Sequence, residues 1–181
     1  MNASSPLIGS PLHVACADNI TNRLAIMELL LERGADPNKM IISDDGTALK
    51  PALGEYLTSN QVIDKNVVNL LMRHGAKVIL KSQLRDPQGI LNCLQNNGTQ
   101  DELMLELLDA AESFDPPMIR RCPSFSSELR SIALDKSRNP SSLQHQCRLY
   151  LRKYLGTRLP GRIEELELPP TLASYLLFEF N

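Results

Sequence analysis

The chain has 181 residues, 43% of them hydrophobic and 22% charged, enough apolar material to bury a core and to exclude a disordered tail or linker. Against 21 acidic residues stand 19 basic ones, a formal net charge of -2, so the positive excess that phosphate backbones demand is missing and nucleic acid is excluded as a principal partner. No apolar run approaches a membrane span, residues 1–10 carry neither the basic nor the apolar region of a secretory signal, and no C-x-x-C pair joins the four cysteines. A reducing, cytoplasmic or nuclear setting is therefore expected, with Cys16, Cys93 and Cys122 as small buried residues rather than zinc ligands or disulfide halves.

In chain order, the first predicted unit is Gly9-Ser10-Pro11-Leu12-His13-Val14-Ala15-Cys16, a glycine turn leading into a helix of small residues. It is followed by Ile26 to Asp36, where apolar residues at helical spacing end at Gly34, the position of a left-handed helix cap. The same order returns in Gly46 to Leu53 and then Val67 to Lys77, ending at Gly75. A third unit keeps a turn at Asp86 to Leu91 and the Leu103, Leu105, Leu107, Leu108 cluster in Asp101 to Ala111, without a terminal glycine.

This turn, short helix, amphipathic helix order resembles the ankyrin repeat, whose small first helices stack while the leucines of the second fill a shared core. The glycines repeat at 37 residues (Gly9 to Gly46) and 41 (Gly34 to Gly75), against roughly 33 for the family. The surplus falls in Asn19 to Arg23 and Thr58 to Asn66, between paired helices, where insertion is tolerated. At His13, the position of the family's histidine, the resemblance implies a structural hydrogen bond within the repeat. About three repeats are needed for stability, and no polar helix precedes the first, so the sequence is expected to be part of a longer protein.

Residues 113–138 change in composition. Asp115-Pro116-Pro117 and Pro123-Ser124-Phe125-Ser126-Ser127 mark a connector, and Glu128 to Lys136 a helix that covers the end of the array. Asn139-Pro140 then reads as a cap and first helical residue for a helix running to Leu155 and stopping at Gly156. Leu143, Cys147, Leu151 and Leu155 are spaced by four and form one stripe, with Leu149 and Tyr150 on other faces. Arg148, Arg152 and Lys153 suit the negative end of the helix dipole.

Ser142-Leu143, with Cys147 and Leu151 at steps of four, resembles the BC box (142–151), and Ile163 to Leu176 resembles the cullin box (163–176) of SOCS-box proteins. Glu167 replaces the first proline of the latter's Leu-Pro-aliphatic-Pro core. With the repeats, the chain resembles the ankyrin-repeat and SOCS-box family. The fold implied is all-α: a short ankyrin-repeat solenoid over 1–112, a linker with a capping helix over 113–138, and a three-helix SOCS box over 139–181.

The function implied is that of a non-catalytic adaptor of a ubiquitin ligase. Ser142, Leu143, Cys147 and Leu151 would meet elongin C, which carries elongin B. Ile163, Leu166, Leu168, Pro169, Leu172 and Tyr175 would meet cullin-5 with its RING protein, and the repeats would hold an unidentified protein target. The competing reading is an ankyrin scaffold whose C-terminal helices only cap the array. His13, His74 and His145 have no nucleophile or carboxylate at catalytic spacing, His145 and Cys147 alone cannot complete a metal site, and no phosphate-cradling glycine loop is present, so neither catalysis nor a cofactor is expected.

Overall fold

The structure, a computed structural model, describes Ser5 and residues 9–42, 48–94 and 101–179. Ten helices and four short strands occur among them. The first unit is the helix pair α1 (Pro11–Ala15) and α2 (Arg23–Glu32). Pro11 takes the first helical position, and Ser10 is tied to His13, its hydroxyl lying 2.7 Å from Nδ1. Because the Ser10 backbone N–H also donates to Nδ1, the ring proton sits on Nε2, which donates to the Lys50 carbonyl at 3.0 Å. The expected bond within the repeat is present, and the same imidazole ties the first unit to the second.

The hairpin β1 (Ile41–Ile42) and β2 (Ala48–Leu49) connects to the second pair, α3 (Ala52–Ser59) and α4 (Lys65–Arg73). Gly46 and Thr47, which open the second repeat in the sequence, lie outside the described residues. Both α2 and α4 end as their glycines require: Gly34 and Gly75 stand at φ of 85° and 96°, and the next N–H in each case returns to the helix, Ala35 to Leu30 and Ala76 to Leu71. Small side chains let the first helices approach, close enough for the Cys16 thiol to donate to the Ala52 carbonyl at 3.3 Å. Asn38 joins the exit turns, donating to the Gly75 carbonyl at 2.8 Å and accepting from the Lys77 N–H at 2.9 Å.

The third unit departs further from a repeat than its leucines suggest. Where a first helix would stand there is a single 3-10 turn over Leu91–Leu94, followed by α5 (Asp101–Ala110). Leu103, Leu107 and Leu108 are buried, and Leu105 is exposed. No glycine turn follows α5 because the chain runs straight into β4 (Ala111–Phe114), which pairs in parallel with β3 (Val78–Leu80). The Pro116-Pro117 pair belongs to a helix, not to a connector: buried Asp115 caps α6 (Pro116–Arg121), and proline is well suited to that first turn. Then α7 (Ser127–Arg138) buries Leu129 and Ala133 in the main core and closes the array.

Three helices complete the chain: α8 (Leu143–Leu155), α9 (Leu159–Glu164) and α10 (Pro170–Leu177). They share a small core of Leu159, Ile163, Leu176 and Leu177, while Phe178 leaves it to join the main core of the array. The fold is all-α in class, as expected: a short solenoid of helix pairs followed by a helix trio.

Candidate protein-docking surfaces

Helix α8 is set by its ends. Ser142 is the cap, its hydroxyl accepting from the His145 N–H at 3.2 Å, and Gly156 at φ 69° stops the helix. Asn139 terminates α7 instead, its amide donating to Asp135 at 2.9 Å. The cap therefore falls three residues later than Asn139-Pro140 suggests, because α7 extends through Arg138 and consumes the asparagine.

The two faces of α8 are inverted relative to an ordinary amphipathic helix. Inward lie His145, Arg148 and Arg152. Arg148 donates to the carboxylate and the carbonyl of Asp109, both at 3.2 Å, and to His145 Nδ1 at 3.0 Å, while His145 Nε2 donates to the Ala111 carbonyl at 3.2 Å. The Arg148 guanidinium also lies 4.2 and 4.0 Å from the ring centroids of Tyr175 and Phe178. Arg152 donates to the carbonyls of Leu176, in the last turn of α10, and Met72, in the last turn of α4, and stacks on Phe178 at 4.4 Å. Helix C-termini offer free carbonyls and partial negative charge, which suits a guanidinium buried between two of them.

Electrostatics follow from that burial. Desolvation, then repulsion by Arg148, pull Arg152 down to about 9, so it remains a cation at neutral pH. Burial pushes the Asp109 carboxyl up, but the Arg148 hydrogen bond and the Lys136 charge outweigh it and hold the group below its usual value. Spacing alone presents Arg148 and Arg152 as dipole partners in solvent. Their position opposite the apolar stripe points outward by the ordinary rule, so no sequence signal shows that they face inward.

Outward lies the stripe except for Leu155, which packs half-buried against the small core of the three helices. Leu143 is 76% exposed, Leu151 39%, and Cys147 is exposed between them. Tyr150 and Tyr154 are exposed at 70% and 76%. Tyr150 is not on another face: at about 100° per residue it sits about 20° from Leu143. A depression of about 340 Å³ opens between Gln146, Cys147, Tyr150 and Leu151.

The second candidate set is divided. Leu166, Pro169 and Leu172 are exposed, whereas Ile163 is buried, Leu168 packs half-buried against the same small core, and Tyr175 is half-buried beneath Arg148. Between them Glu167 stands at φ 49° with its N–H bonded to the Glu164 carbonyl at 3.1 Å. A proline could adopt neither feature. No group of three or more metal-ligating side chains occurs among the described residues.

Comparison with known proteins gives two family matches, the ankyrin repeat over residues 10–41 and the SOCS box over residues 139–177. Relatives resemble the chain nearly end to end. It is 28% identical over 172 residues to Ankyrin repeat and SOCS box protein 16 of Mus musculus (93% of this chain, 35% of the relative). It is 30% identical over 173 residues to Ankyrin repeat and SOCS box protein 5 of Homo sapiens (96% of this chain, 40% of the relative). The chain carries an ankyrin repeat and a SOCS box, and it resembles the ankyrin-repeat and SOCS-box proteins. It spans well under half the length of these two relatives, and no solved structure matches it. In this chain the SOCS-box match takes in α8, α9 and α10, so the inverted helix is the first helix of the box.

Proposed function

We propose that the chain is a non-catalytic, target-binding adaptor of a cullin-RING ubiquitin ligase, acting in the cytoplasm. Leu143, Cys147 and Leu151 dock α8 into a groove of elongin C, which brings elongin B, and the ankyrin units hold a protein target. Proximity is the mechanism, since a tether raises the target's effective concentration at the transferring enzyme.

The observation that carries this reading is the inversion of α8. If the C-terminal helices served only to cap the array, the apolar side of α8 would face inward, as it does on an ordinary core helix. Here the contact with the array is made by charged groups, Leu143 and Leu151 are left in solvent, and of the stripe only Leu155 turns to the small core. An apolar helix face of this kind fits a helix-in-groove partner, with its energy concentrated in a few anchors.

Cullin-5 recruitment is the second part of the proposal, assigned to Leu166, Pro169 and Leu172 with Ile163, Leu168 and Tyr175 supporting them from within. The test is copurification from cells. Replacing Leu143 and Cys147 together with arginine is expected to abolish capture of elongins B and C while the melting temperature of the chain stays unchanged. Undiminished capture by a folded double variant refutes the adaptor reading.

A further inference from the structure

The pattern that resembles the BC box accounts for Leu143, Cys147 and Leu151 and is silent about the two large side chains beside them. From Leu143, at about 100° per residue, Tyr150 falls at about -20°, Tyr154 at about +20°, Cys147 at about +40° and Leu151 at about +80°. All five lie within about 100° of arc, and the tyrosines stand among the anchors rather than apart from them. The guanidiniums that hold α8 to the array lie on the opposite side, and neither tyrosine hydroxyl has a hydrogen-bond partner among the described residues.

We infer that Tyr150 and Tyr154 are contact residues for the same partner groove, extending the docking footprint of α8. The inference rests on the adaptor reading. Its support is continuity: Tyr150 shares the depression beside Cys147 and Leu151 with those two residues. A partner wall that fills this space must meet the phenol ring. Tyr154 lies one turn further along the same line and lengthens the footprint from about 12 Å (Leu143 to Leu151) to about 16 Å, at about 1.5 Å rise per residue.

Tyrosine suits the task, offering a large apolar area with only two side-chain torsions to fix and a hydroxyl that can bond at the rim. The partner chemistry that fits is an elongated apolar groove with a hydrogen-bond acceptor at its edge. Other strongly exposed apolar side chains, such as Val62 and Leu84, lie in connecting segments away from this stripe, and scattered single residues of that kind are ordinary on a surface.

The test uses the full 181-residue chain and purified elongin B–elongin C heterodimer, with affinity read by titration calorimetry and folding by thermal melting. Tyr150→Ser and Tyr154→Ser are each expected to weaken binding by about tenfold, as a tyrosine anchor does, with melting unchanged because both side chains stand in solvent. Wild-type affinity in both variants, alongside lost binding by Leu143→Arg/Cys147→Arg, overturns the inference and leaves the adaptor reading standing. Wild-type affinity in Leu143→Arg/Cys147→Arg, or no binding by the wild-type chain, overturns both. Footprinting of the wild-type complex decides the matter without any variant: protection of both tyrosine rings from oxidative labelling is expected, and unchanged labelling overturns the inference.

Discussion

At the scale of single residues, two side chains sit where their chemistry is penalised, and each gives a measurable effect. His74 is buried, with Nδ1 unpartnered. Burial, then the neighbouring Arg73 charge, pull it down to about 4, whereas the unfolded chain takes up this proton near its ordinary 6.5. Between those values the unfolded state holds the extra proton, so stability falls as pH drops from 6.5 to 4, by up to about 3 kcal/mol, and is intact above 6.5. Denaturant titrations across that range are expected to show a shallower decline for His74→Asn than for wild type; identical slopes count against the assignment. Glu167 is penalised by its backbone, since φ of 49° costs a residue with a Cβ about 1 kcal/mol. Glu167→Gly should therefore melt at or above wild type. Glu167→Pro supplies the proline of the cullin-box pattern that this segment resembles and should still lose about 3 kcal/mol, because the ring forbids this φ and removes the N–H that bonds Glu164. If Glu167→Pro instead melts with wild type, the loop does not have this conformation.

At the scale of elements, what the sequence made legible depends on whether a signal is local. Gly34 and Gly75 terminate α2 and α4 as their neighbours predict, because a left-handed cap is decided by the glycine itself. Gly156 does the same for α8. The start of α8 was less legible, since Asn139 and Ser142 are both good caps and only the reach of α7 decides between them. The third unit misled for a related reason: leucine spacing survives in α5, but the parallel pairing of β3 with β4, which replaces the glycine turn, is a long-range event with no local signature. The stripe of α8 could be read from spacing, and its direction could not. Apolar periodicity says that two faces differ, and it assumes that the apolar one is inside. Here Asp109 and the carbonyls of Met72 and Leu176 come from distant segments and reward the charged face with burial. The same gap hid Tyr150, which spacing by four sets apart from Leu143 although the helical angle joins them.

At the scale of the whole molecule, the polar face of α8 decides whether the docking surface and the ankyrin units move together. Arg152 reaches Met72 of α4, Arg148 reaches Asp109 of α5, Arg73 pairs with Glu179 at 3.3 Å, and Phe178 sits in the main core. Arg73–Glu179 is exposed on both sides and such pairs contribute little. Arg148 and Arg152 are buried, and truncating a buried charged partner leaves its acceptors unpaired, at a cost of about 3 kcal/mol or more. A target held on the repeats would then stand at a fixed distance and angle from whatever α8 binds, which an adaptor requires and a flexible linker does not supply. Arg148→Ala/Arg152→Ala is expected to release the trio α8, α9 and α10 from the array while each retains its own core. Hydrogen exchange should therefore accelerate in α8 and α10 and stay slow in α2 and α4, since a segment opens locally when the packing and hydrogen bonds that hold it are weakened. Acceleration spread evenly over all helices would mean that the arginines support the global fold and not the joint. Unchanged exchange would mean that the arginines are dispensable and that Phe178 and the remaining contacts, such as His145 with Ala111, fix it.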